Sequence, residues 1–217
     1  LQLAGVAAAV VALVTLAARG MLARHPAAAE DEPQAHFAWP RGLLLVIGLM
    51  IFAGMSAEGV MYDWSVLYLK QEVGLTQDVA AMGYAAFTGA MAAARFGGDA
   101  LRARLPERSL LRGSAALAAV AMAVVLLSGH PVVAMLGYAL VGAGLAPVVP
   151  ILYNAATRVP GTSRAAAIAA VSSIGYAGFM IGPPLIGSIA QAVSLTAAMS
   201  VVAVMAGLLA VGARRVG

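Results

Sequence analysis

Glu58 carries the strongest chemical signal in the chain. It stands about 15 residues into an uninterrupted apolar stretch, roughly 22 Å from the beginning of that stretch at about 1.5 Å per helical residue. A carboxylate so deep in hydrocarbon is costly unless it faces a wet cavity, finds a partner or takes a proton. Taking a proton is what a proton carrier needs; bonding to a neighbouring helix is the structural alternative. Tyr62 and Ser65 follow at i+4 and i+7, so they share the Glu58 face and can line the same cavity. Asp63 is rotated by roughly 140° from Glu58 and lies near the outer end of the stretch. It reads equally as a solvated interfacial acid and as a member of the site. Asn154, beside Tyr153, is the other polar group in a span. Its amide both donates and accepts, which suits solute hydroxyls, and it also suits a helix cap or a link between helices. Thr88, Ser172 and Ser173 are consistent with backbone bonding inside a helix.

A second cluster is ionic. Arg95, Asp99 and Arg102 follow at i, i+4 and i+7 with Gly97-Gly98 between them, so one helical face carries plus, minus, plus. The reading is either arginines snorkelling at a membrane edge or a charged latch that grips a neighbouring helix in one conformation. Gly137, Gly142 and Gly144 precede Pro147 and Pro150, and Gly175, Gly178, Gly182 and Gly187 surround Pro183-Pro184. Such runs allow close helix packing. Prolines there also make bending points, with Pro147, Pro150, Gly182, Pro183 and Pro184 as the candidates. Enzyme signatures are missing: His25, His36 and His130 are scattered, and no phosphate-cradling loop or paired nucleophile occurs. No catalytic residue, metal or cofactor is expected.

These residues need elements that hold them in a bilayer. The chain has 217 residues, 62% hydrophobic and 10% charged, with no cysteine and a mean hydropathy of +0.93. Soluble domains are about 25% charged, so this composition excludes a soluble enzyme, a disordered tail and a disulfide-stapled module. The net charge of +4 sits in short clusters between uncharged stretches, a pattern that argues against a nucleic-acid partner. Seven segments approach the roughly 20 apolar residues a spanning helix needs: about 1–18, 42–62, 79–96, 113–129, 132–156, 165–190 and 195–213. The uncharged run 165–213 is divided by a turn at Gln191–Ser194. Nothing alternates as a membrane strand would, so the fold class is an all-α membrane protein of seven transmembrane helices.

With seven alternating spans, every arginine falls on one side and Lys70 on the other. The positive-inside rule then puts the arginine side and the C-terminus in the cytoplasm of an inner-membrane protein. Trp39, Trp64 and Tyr68 suit interfacial belts. Residues 19–41 carry Pro26, Pro33, Pro40 and the acidic run Glu30-Asp31-Glu32, which reads as a cytoplasmic linker. Residues 42–217 then form a six-helix domain. Gly83-Tyr84-Ala85-Ala86-Phe87 and Gly175-Tyr176-Ala177-Gly178-Phe179 lie in the middle helices of its two halves, a pattern an inverted repeat of two triplets would leave. The chain opens at Leu1 in mid-hydrophobic sequence, which reads as part of a longer polypeptide.

Taken together, these features resemble the major facilitator superfamily. Arg95–Arg104 is similar to the second copy of the family's cytoplasmic loop motif, with Arg95 standing where the motif begins with glycine. Gly178–Gly187 is similar to its Gly-Pro packing signature. Glu58–Ser65 together with Pro147–Asn154 resembles a fucose-permease-like branch of bacterial transporters. The resemblance implies that 1–18 is the final helix of an N-terminal half, 19–41 the central linker and 42–217 the C-terminal transport domain, with the rest of the N-terminal half as its missing partner. It implies secondary active transport of a small polar solute by alternating access around a midplane site, coupled to protons through Glu58. A membrane sensor or receptor on the same fold is the alternative.

Overall fold

The computed structural model describes residues 11–16, 40–102 and 104–215, leaving out the side chains of 99–102. The chain divides into two units, Leu1–Ala35 and His36–Gly217. In the first, residues 11–16 are helical; the remainder of the expected first span, Trp39 and most of the expected linker lie outside the described residues.

The second unit is built of helices, and no strand occurs among the described residues. Helix α1 is Leu43–Gln71, α2 Gln77–Arg102, α3 Glu107–Ser128, α4 Pro131–Leu145, α5 Val148–Ala156, α6 Arg164–Ala192 and α7 Leu195–Gly212, followed by a short 3-10 turn at Ala213–Arg215. Because α4 and α5 form one interrupted span, five spans among the described residues are long and apolar enough to cross a membrane: Leu43–Gln71, Glu107–Ser128, Pro131–Ala156, Arg164–Ala192 and Leu195–Arg215. Helix α2 has the length but is diluted by glycine and carries Arg95.

Local chemistry sets the boundaries. Gly42 and Gly74 take positive φ, 55° and 77°, on either side of α1, a conformation glycine adopts without strain. His130 caps α4 by accepting from the Val132 N–H, and Pro131 opens the helix. Ser163 and Ser194 accept from Ala166 and Ala197 at the starts of α6 and α7. Only Val193 and Ser194 separate those two helices, inside the expected turn.

Helix α1 differs from its expected extent, continuing nine residues past Tyr62. Hydropathy falls at Asp63, but Ser65, Tyr68 and Leu69 remain buried, so a packed face carries the helix onward. The bundle holds two apolar clusters, one around Ile47, Ile51, Leu111, Leu152 and Leu209. The other surrounds Met61, Tyr68, Phe87, Met122 and Tyr138. Helix α1 runs through both, and Glu58 stands just beyond their junction at Ala53–Ala57.

Candidate functional site

Glu58 is nearly enclosed at 9% exposure, and it is paired. Arg95 of α2 directs Nη2 at both carboxylate oxygens, 3.3 Å from each. This is one nitrogen bridging two oxygens, longer than the 2.7–2.9 Å usual for charge-assisted N–H···O bonds. The Arg95 side chain keeps 43% exposure. Its Cα lies about 10 Å along the axis from the α2 end at Arg102. A lone arginine there could snorkel to that end; this one reaches toward the middle of α1.

Aromatic rings flank the pair. Tyr62, one turn beyond Glu58, packs edge-on against Phe87 with centroids 5.6 Å apart and lies 6.2 Å from Tyr84. Its hydroxyl points to Met91 Sδ at 3.6 Å. Tyr84, Thr88, Met91 and Arg95 recur every three or four residues along one face of α2, and from that face Tyr84, Met91 and Arg95 meet Tyr62 and Glu58 of α1. Ser65 is fully buried, its hydroxyl without a partner among the described residues, while its carbonyl accepts from the Tyr138 hydroxyl at 3.3 Å. A carboxylate, a partly exposed guanidinium and phenol groups so arranged can exchange a proton and bind a polar group.

The other candidates fall elsewhere. Asp63 is exposed. Asn154 donates to Glu107 Oε1 at 2.7 Å, and Arg158 donates to the same oxygen at 2.9 Å. These residues join the start of α3 to the end of α5, beside a cavity of about 600 Å³ bordered by Leu43, Ile47, Arg108 and Val159. Asn154 is therefore not brought to Glu58. Tyr153 shares a hydrogen bond with Ser172 at 3.0 Å, whereas Thr88 and Ser173 bond to carbonyls of their own helices. The side chains of Asp99 and Arg102 lie outside the description. Pro147 stands in the break between α4 and α5 and Pro150 just after it, while α6 runs unbroken through Gly182, Pro183 and Pro184.

The partner of Glu58 was the part sequence reasoning missed. Helices α1 and α2 are adjacent and antiparallel across a five-residue connection. Counted from that connection, Arg95 lies about five residues deeper than Glu58, roughly 7 Å, which an extended arginine covers. Depth counted from the loop was the available signal.

A family profile described as Major Facilitator Superfamily matches residues 2–165 and again 46–216. An uncharacterized MFS-type transporter of Yersinia pestis is 36% identical over 204 residues, 94% of this chain and 53% of that protein. Membrane protein MosC of Rhizobium meliloti is 37% identical over 156 residues, 72% of this chain and 38% of the other. In fold, the chain is similar to the E. coli fucose:proton symporter FucP, with a TM-score of 0.80 at 20% identity, covering 95% of this chain and 52% of that one. A FucP structure in the outward conformation gives a TM-score of 0.78 over the same shares. The chain spans about half the length of the first of these relatives and of both FucP chains. The curated relatives bear transporter or membrane-protein names rather than enzyme names. With its apolar helices and these matches along nearly its whole length, the chain is an integral membrane protein that belongs to the Major Facilitator Superfamily.

Proposed function

We propose that this chain serves secondary active transport of a small polar solute by alternating access, with proton coupling at Glu58. The observation that carries the reading is the Glu58–Arg95 pair in mid-bundle. Ionised, Glu58 is held by Arg95; protonated, it releases the guanidinium, so a proton switches a contact between two helices. The fold of a proton symporter supports the same mechanism. In this reading residues 1–18 are the last helix of an N-terminal half, 19–41 the central linker and 42–217 the C-terminal half, made of two inverted triplets. Seven spans then place the C-terminus in the cytoplasm of an inner-membrane protein, supported by the arginines at one end of the bundle. The solute site lies between this half and an N-terminal one. Asp63 is exposed, and Asn154 belongs to the inner-end network with Glu107 and Arg158. Asp99 and Arg102, further along the Arg95 face, keep the latch role that their spacing supports.

The test is solute uptake by the intact transporter in proteoliposomes with an imposed pH gradient. Concentrative uptake that a protonophore abolishes is the expected result. Solute binding without net flux would overturn the reading in favour of a sensor.

A further inference from the structure

We propose that the solute carried past Glu58 bears an anionic group, and that Arg95 binds that group while Glu58 holds a proton. The inference rests on the transport reading above and adds the chemical class of the substrate.

Arg95 is set up for a second acceptor. Its contact with Glu58 engages Nη2 alone, and the side chain is 43% exposed. A guanidinium carries five N–H donors in a planar fork suited to carboxylate or phosphate. One turn beyond Glu58 stands the Tyr62 hydroxyl, whose partner is the weak acceptor Met91 Sδ. Arg95 therefore has donors to spare beside Glu58. The described titratable groups on the surrounding elements are Glu58, Tyr62, exposed Asp63, Tyr68 and Lys70 on α1, Asp78, Tyr84 and Arg95 on α2, and Tyr138 on α4, which bonds the Ser65 carbonyl. Asp99 follows Arg95 one turn along α2, with its side chain outside the described residues. Helix α6, which carries Arg164 at its start and exposed Tyr176, meets α1 through Ile174, Gly178 and Phe179, and α7 contains no titratable residue.

Charge balance selects the ligand. With Glu58 ionised, the pair is neutral. When Glu58 takes a proton, Arg95 loses the counter-charge it engages, and the pair becomes net positive. An anionic group arriving at Arg95 restores neutrality. Proton and anion thus bind together more favourably than either alone, and by linkage each raises affinity for the other. A neutral solute leaves Arg95 uncompensated, and a cationic one meets a like charge. Coupling needs no device beyond these two side chains.

The test uses the intact transporter, purified, with two matched probe pairs: galacturonate against galactose, and benzoate against benzyl alcohol. Binding is measured by calorimetry at pH 5.5 and 8.5. At least one anion is expected to bind, at least tenfold tighter at pH 5.5, with its neutral counterpart weaker. Glu58→Gln should bind the same anion equally at both pH values. The Glu58→Gln/Arg95→Gln double variant, which keeps the site neutral for folding, should lose it. The proposal is overturned if no anion binds or the neutral members bind as well. It is also overturned if the double variant retains the anion or Glu58→Gln keeps the pH dependence. Gradient-driven uptake of a neutral solute would sink this inference and leave proton coupling standing. Anion binding with this pH linkage but no gradient-driven uptake would do the reverse.

Discussion

At the scale of residues, the Glu58–Arg95 contact is a poor stability device and a good switch. An Arg–carboxylate pair built for strength is bidentate; here one nitrogen serves both oxygens at 3.3 Å. Removing one partner is nevertheless expensive because the other is left in the bundle. Arg95→Gln should therefore lower the stability of the intact transporter by about 1–3 kcal/mol, the cost of an unsatisfied buried polar group, with Glu58→Gln/Arg95→Gln recovering most of it. Thermal unfolding of the three proteins checks this, and a double variant as unstable as the single would refute it. Glu58 was legible in the sequence because a carboxylate interrupts an apolar run. Its partner was not, since a linear reading of spacing assigned Arg95 to Asp99 and Arg102 on its own helix. Asn154 stayed ambiguous for a similar reason: its acceptor, Glu107, is 47 residues away and meets it only once α3 and α5 pack.

At the scale of elements, glycines fix how closely the helices approach. A Cβ on Gly178 would stand 2.7 Å from the Phe52 carbonyl oxygen and 2.8 Å from Ser56 Oγ. Ser56 already donates to the Gly178 carbonyl at 3.0 Å. On α4, Gly142 lies against the Phe87 backbone, and Gly144 against backbone atoms of Ser114 and Ala118. Opposing backbone cannot yield as a side chain can, so Gly178→Ala should cost about 1–3 kcal/mol and reduce folded yield in size-exclusion profiles. Gly207→Ala is the control. Nothing lies within 4 Å of its added methyl, and helix propensity alone gains about 0.5–1 kcal/mol. Equal yields for the two variants would contradict the packing account. The sequence showed these glycine runs and the turn before α7. It did not show the end of α1, because hydropathy averages over faces whereas burial of Ser65, Tyr68 and Leu69 follows one face.

At the scale of the whole molecule, the helices bring their arginine-bearing ends together. Arg104, Arg108, Arg112, Arg158, Arg164, Arg214 and Arg215 lie at or near one end of the bundle, and Lys70 ends α1 at the other. In the proposed topology, the positive-inside rule makes the first end cytoplasmic. Asp78→Cys should therefore react with an impermeant thiol reagent in intact cells, and Ser109→Cys only after permeabilisation; the opposite pattern would reverse the topology. Membership of the superfamily was legible because composition, span spacing and loop motif agree, while substrate chemistry depends on contacts between helices distant in sequence. Proton coupling at Glu58 means that a proton on this carboxyl drives accumulation. The most direct measurement compares gradient-driven accumulation with solute exchange at zero gradient for the intact transporter and its Glu58→Gln variant in proteoliposomes. The variant is expected to exchange solute but lose accumulation, and accumulation at the unmodified level would contradict proton coupling at Glu58.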